Sequence, residues 1–239
     1  MKNIAVIFAG GTGKRMNTKS KPKQFLELHG KPILIYTLEK FDNHPEIDGI
    51  VLVVLESWIG YCKDLIKKFN LTKINAIIAG GESALESQRN GLLEVRRIWG
   101  SDSIVLIHDG VRPLIDEETI TQNVKCVKEY GSAITVIPAI ETISVKTDKG
   151  EVGQIIERAK VEMVRAPQSF YLKDILNAQQ KAVDDKLNFI DSASMMQYYG
   201  YRLHTVVGSP ENIKITTPND FYTFRALVDA KENSQIFGI

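Results

Sequence analysis

Apolar positions along the chain follow two alternating rhythms. Short continuous runs at residues 4–8, 50–55, 76–79, 104–107 and 133–138 read as strands covered on both faces. Between them, residues 33–41, 58–69, 85–99 and 117–130 carry apolar side chains at helical spacing; in the second of these, Ile59, Cys62, Leu65, Ile66 and Phe69 share one side. Strand–helix alternation of this kind predicts an α/β fold of Rossmann-like, doubly wound type, with a mostly parallel sheet and helices on both faces.

The rhythm changes near Ile140. Residues 142–145 and 152–156 are short strand-like runs around Asp148-Lys149-Gly150, a turn signal, and predict a β-hairpin arm projecting from the sheet over about 139–160. Beyond it, residues 172–183 and 193–199 read as helices and residues 204–207 and 213–215 as strands. Thr217-Pro218-Asn219-Asp220 caps a last helix through Val228. No repeat, low-complexity tract or linker interrupts the 239 residues, so one domain, 1–239, with an arm is expected.

Composition and charge act mainly by exclusion. The chain is 44% hydrophobic and 25% charged with a formal net charge of +1. That balance provides no global field for nucleic acid or an anionic membrane, so neither is expected as a partner. An anionic ligand must be met by local cations. No apolar stretch approaches the ~20 residues that span a bilayer. The run at residues 4–9 ends in glycines, not a small-residue cleavage site, and reads as a buried strand instead of a signal peptide. Cys62, Cys126 and the four scattered histidines form no metal-binding spacing, so no protein metal ligand is expected. Reduced thiols and a cytoplasmic location are.

Candidate chemistry begins directly after the first strand, at Phe8-Ala9-Gly10-Gly11-Thr12-Gly13-Lys14-Arg15-Met16. Glycines allow a ligand to approach backbone N–H groups closely, which suits phosphate. A plain structural turn is the alternative. The loop is neither a Walker A motif, which needs GxxxxGK[ST], nor a dinucleotide fingerprint, whose third glycine position is Met16 here. A nicotinamide-dependent oxidoreductase is therefore the remoter reading of this fold class. Arg15 and Lys23 put fixed cations near the loop, as a triphosphate site requires. Two more clusters fall at predicted strand ends, where such folds hold their ligands. They are Ala79-Gly80-Gly81-Glu82-Ser83, before the helix with Ser87, and His108-Asp109-Gly110-Val111-Arg112-Pro113.

The loop GGTGKRM followed by PKQF resembles the signature shared by NDP-sugar pyrophosphorylases and cytidylyltransferases. With HDGVRP, AGGxxxxxS, APQSF and ENIKITTP, the chain resembles the family that contains ribitol-5-phosphate and 2-C-methyl-D-erythritol 4-phosphate cytidylyltransferases. The matches run in order from Ile4 to about Phe224. The resemblance implies a fold of nucleotide-diphospho-sugar transferase type and transfer of CMP from CTP to a polyol phosphate. Mg²⁺ would be held mainly by the CTP phosphates.

Site roles follow from the resemblance, position by position. Arg15 and Lys23 match a transition-state-stabilising pair, and Arg158 and Lys214 match residues that hold the acceptor phosphate against the α-phosphorus. Phe8, Ala9, Gly10, Gly11, Thr12 and Gly13 fall on the loop that wraps CTP. Gly80, Gly81 and Ser87 fall at the cytosine. Asp109, Gly110 and Arg112 fall in the ribose and acceptor region. Thr142 matches an acceptor contact on the arm, which in this family embraces a second subunit. The implied assembly is a homodimer with shared active sites.

The chain departs from the family pattern at Ala84, Ala166 and Ile190. Retention of Arg15, Lys23, Arg158 and Lys214 argues against a non-catalytic scaffold. Residues 31–41, Trp58, Val111 and Ser169 look like the ribitol enzymes, whereas residues 86–92 and 191–194 look like the methylerythritol enzymes. D-ribitol 5-phosphate is the favoured acceptor.

Overall fold

The computed structural model describes residues 1–11 and 21–237 of the chain, with side chains through residue 234. In chain order its elements are β1 (Lys2–Ala9), β2 (Glu27–Leu28), β3 (Lys31–Pro32), α1 (Ile33–Asp42), β4 (Gly49–Val54), α2 (Ile59–Lys68), β5 (Ile74–Ala79), α3 (Ala84–Trp99), β6 (Ser103–Asp109), α4 (Glu117–Tyr130), β7 (Ser132–Pro138), β8 (Ile143–Lys146), β9 (Val152–Ile156), β10 (Glu162–Tyr171), α5 (Leu172–Asp184), α6 (Ser192–Tyr198), β11 (Thr205–Val207) and α7 (Pro218–Phe237). Seven strands form the central sheet in the order β11-β7-β10-β6-β1-β4-β5. All its pairings are parallel except those of β10, which runs antiparallel to β6 and β7.

The continuous apolar runs are explained by the two faces of this sheet. Ala5, Ile7 and Ala9 of β1 pack with Leu38 and Phe41 of α1, Leu65 of α2 and Val124 of α4. Ile4 and Val6 of the same strand point the other way, to Leu92 of α3, Ile175 of α5 and Met195 of α6. Both side-chain sets of one strand are therefore buried, and no polar alternation remains to mark it. Within α4, Ile120, Val124 and Val127 are fully buried, and each contributes about 1.5–3 kcal/mol. Its Asp116 N-cap, accepting from the Thr119 amide at 2.6 Å, adds about 1 kcal/mol. Packing holds the helix, and the cap sets where it starts. Gly131, at φ 88°, ends it in the left-handed conformation.

The predicted hairpin is present as the antiparallel pair β8–β9, closed through Gly150 at φ 83°. One strand is unforeseen and one expectation is corrected. Residues 162–171, which the apolar pattern assigns to no element, form the ten-residue strand β10. It is fastened from behind by buried polar groups: Ser169 Oγ donates to Asn123 Oδ1 at 2.9 Å, and Thr135 Oγ1 donates to the Pro167 carbonyl at 2.8 Å. Residues 213–215, expected as a strand, are extended chain outside any ladder. Ile215 plugs the third apolar cluster beside Ile33 and Phe224, and its amide donates to the Val111 carbonyl at 2.9 Å. The inward Ile215 next to the outward Lys214 imitates strand alternation. The last helix also runs to Phe237, past the expected Val228.

Candidate active site

The carboxyl ends of β1, β5 and β6 open into one cleft of about 460 Å³. Phe8, Gly10 and Gly11 continue β1 into its wall. Gly110 explains the close approach of β6 to that turn. Its amide donates to the Phe8 carbonyl at 2.8 Å, and a Cβ there would sit 2.9 Å from Leu34 Cδ1 and 3.1 Å from the Phe8 carbonyl oxygen. After β5, the Gly81 amide donates to Ser87 Oγ at 3.0 Å, which ties the turn to the first coil of α3. Ser83 caps α3 by accepting from the Glu86 amide at 3.0 Å, while Glu86 Oε2 accepts from the Glu82 amide at 2.8 Å. These two contacts fix how the chain leaves the β5 turn and enters α3.

At the end of β6, Asp109 pairs with two cations from different parts of the chain. Arg112 Nε donates to Oδ2 at 2.8 Å and Lys214 Nζ to Oδ1 at 2.7 Å. Burial works to raise the Asp109 pKa, but Lys214 and Arg112 together overcome it and hold the carboxyl down to about 2. Behind it, burial pushes His108 down to about 3, so the ring is neutral. Its Nε2 donates to the Arg112 carbonyl at 3.4 Å. Arg112 reaches further, giving Nη1 to the Asn212 carbonyl at 2.9 Å.

The structure brings Phe8, Gly10, Gly11, Gly81, Ser87, Asp109, Arg112 and Lys214 to the cleft. Ala9, Gly80 and Gly110 stand behind its wall. The Ala9 carbonyl accepts from Gln24 Nε2 at 2.6 Å, and a Cβ on Gly80 would lie 2.8 Å from Ser87 Oγ. Lys23 gives Nζ to the Ile215 carbonyl at 2.8 Å, next to Lys214 in the chain. Thr12, Gly13 and Arg15 lie outside the described residues. Thr142 and Arg158 are on the arm and do not line the cleft of their own chain; Arg158 Nη1 donates to the Ile140 carbonyl at 3.2 Å.

Sequence reasoning missed Arg165, Gln168 and Asp191, all of which line the cleft. It also missed Asn212, whose carbonyl anchors Arg112. APQSF and ENIKITTP, quoted above as motifs, contain or adjoin three of these four and were the available signal.

Open α/β sheets bind their ligands beyond the carboxyl ends of the strands. Three such ends meet here beside Arg112 and Lys214, which marks an α/β protein with a ligand cleft suited to phosphate. Comparison with known proteins narrows that class. The IspD model, 2-C-methyl-D-erythritol 4-phosphate cytidylyltransferase, matches residues 3–230, and the chain belongs to this cytidylyltransferase family of nucleotidyltransferase enzymes.

The chain is 50% identical over 238 residues to a ribitol-5-phosphate cytidylyltransferase of Streptococcus agalactiae serotype III (strain NEM316), covering 99% of this chain and 100% of the relative. It is 41% identical over 220 residues to a 2-C-methyl-D-erythritol 4-phosphate cytidylyltransferase of Clostridium novyi (strain NT), covering 92% and 93%. Among solved structures, the 4-diphosphocytidyl-2C-methyl-D-erythritol synthase of Anaerococcus prevotii DSM 20548 superposes with a TM-score of 0.83 at 26% identity, covering 95% of this chain and 96% of that one. The oxidoreductase alternative gains no support from these relatives.

Proposed function

We propose that this protein transfers CMP from CTP to D-ribitol 5-phosphate, releasing pyrophosphate and forming CDP-ribitol for teichoic acid or capsule synthesis. The observation that carries the acceptor is the 50% identity, across the full length, to a ribitol-5-phosphate cytidylyltransferase, against 41% to a methylerythritol relative. In the reaction an acceptor phosphate oxygen attacks the α-phosphorus in line. A new P–O bond forms as the bond to the β-phosphate bridging oxygen breaks. A phosphate monoester, with a second pKa near 6, is mostly dianionic at neutral pH and requires no general base. It does require relief from anion–anion repulsion. Arg15, Lys23 and Lys214 would supply that from one subunit and Arg158 from its partner. Gly10 and Gly11 would cradle the triphosphate, Gly81 and Ser87 would read the cytosine, and Asp109 and Arg112 would hold ribose and acceptor.

The donor set fits Mg²⁺ held mainly by CTP phosphates and water. Asp109 already spends both oxygens on Arg112 and Lys214, so it is no ready metal ligand. When bound, the ion neutralises triphosphate charge. No helix among the described residues is long and apolar enough to cross a membrane, and a cytoplasmic location is proposed on the reduced thiols. kcat/KM measured for both acceptors under the same CTP and Mg²⁺ should favour ribitol 5-phosphate at least ~10-fold, because a site that hydrogen-bonds a hydroxyl rejects analogues lacking it. A preference for methylerythritol phosphate would overturn the acceptor and leave the cytidylyltransferase assignment intact.

The arm supports a homodimer with shared sites. Ile140, Val152 and Ile155 are 75%, 71% and 63% exposed on it, an apolar surface that asks for cover. Thr142 and Arg158, displaced from their own cleft, would then reach the partner's. Mixing inactive Lys23→Ala with inactive Arg158→Ala protein, with subunit exchange verified, should restore part of the activity. Zero recovery would place Arg158 in its own subunit's site.

A further inference from the structure

Arg165 is a cleft-lining cation that the roles above leave unused. It sits where β10 loses register with β7, between Val164 and Gln168, and irregularities of this kind re-aim side chains next to active sites. Its Nη1 donates to the Asn212 carbonyl at 3.2 Å, the same oxygen that accepts from Arg112 at 2.9 Å. Two guanidinium groups thus converge on one neutral acceptor. That acceptor is itself rigid: Asn212 is buried, and its Nδ2 donates to the Ala166 carbonyl at 2.7 Å.

Charge balance in this corner is unequal. Asp109 answers Arg112 and Lys214, while among the described residues no carboxylate pairs with Arg165. Asp191, on the same cleft, is committed to the cap of α6 and to Gln168 Nε2 at 2.9 Å. Burial and the neighbouring Arg112 both work against the Arg165 charge, lowering its pKa. Holding two partly desolvated guanidinium groups on one neutral acceptor is costly, and an arriving anion would offset that cost. A guanidinium fork matches phosphate in two-point geometry.

We infer that Arg165 is a binding residue for the acceptor's phosphate group, forming with Arg112 a guanidinium pair bridged by the Asn212 carbonyl. This rests on the polyol-phosphate cytidylyltransferase reading. It adds a cation from the same subunit to the acceptor subsite.

Arg165→Met and Arg165→Lys test it by steady-state kinetics. Arg165→Met should raise KM for ribitol 5-phosphate about 10- to 100-fold, the loss expected for charge-assisted hydrogen bonds, with KM for CTP unchanged. Its acceptor KM should also depend less on salt than that of the parent. Arg165→Lys, which keeps the charge and loses the fork, should fall between the two. Unchanged KM for CTP and Tm certify that either variant is folded. Should Arg165→Met not fold, the Lys variant and titration of inorganic phosphate into it and the parent decide, with weaker binding expected in the variant. An unaltered acceptor KM, or a rise confined to CTP, sinks the inference. If methylerythritol phosphate proves the better acceptor, the same measurement on that substrate judges Arg165 separately from the ribitol assignment.

Discussion

Asp109→Asn should lower stability and activity together. Arg112 is only 9% exposed at its side chain, and removal of one partner of such a pair strands the other charge, at a cost of about 3–5 kcal/mol. For a chain of this size that is a fall in Tm of roughly 6–20 °C. The pH dependence identifies the cause. A carboxyl held at about 2 in the fold, against ~3.9 in the unfolded chain, contributes stability that is fully present above the unfolded value and is lost as pH falls through the folded one. The gap in Tm between parent and variant should therefore be full at neutral pH and close between about pH 4 and about pH 2. A gap that stays constant to pH 2 would mean that the substitution acts by shape, not charge.

Lys214→Met should show the opposite division. Its side chain is 42% exposed, and an ion pair of that exposure is worth less than about 1 kcal/mol, so Tm should hardly move. On the role proposed for Lys214, holding the acceptor phosphate against the α-phosphorus, turnover should fall about 10²–10³-fold if that contact tightens as the new bond forms. KM for CTP should stay near the parent value. If kcat were kept while acceptor KM rose, Lys214 would bind the ground state and add nothing further at the transition state.

The parallel part of the sheet was legible because β1, β4 and β6 are buried on both faces, leaving unbroken apolar runs between periodic helices. β10 was not. Its first half is exposed, its second half is buried, and Arg165 and Pro167 interrupt the middle, so neither period appears. Residues 213–215 misled for the converse reason, since alternation there comes from one plug, Ile215, beside one cation, Lys214. At the site, the motifs marked Asp109, Arg112, Ser87 and Lys214 as ligand-facing, and all four line the cleft. What they could not show was partnership. The pairing of Asp109 with Lys214, and the sharing of the Asn212 carbonyl by Arg112 and Arg165, join segments far apart in the chain.

Asn212, Lys214 and Ile215 also carry a temporal consequence. Arg112, Asp109 and Lys23 are synthesised early, yet each takes a partner from this late segment: the Asn212 carbonyl, the Lys214 ammonium and the Ile215 carbonyl. Chains emerge from the ribosome at about 5–20 residues per second, N-terminal end first. A nascent chain that has already paired β1, β4 and β6 still has an unfinished cleft. On the roles proposed above, a product ending before residue 212 would lack Lys214 and the Asn212 and Ile215 carbonyls that hold Arg112 and Lys23, and should bind and turn over substrate poorly.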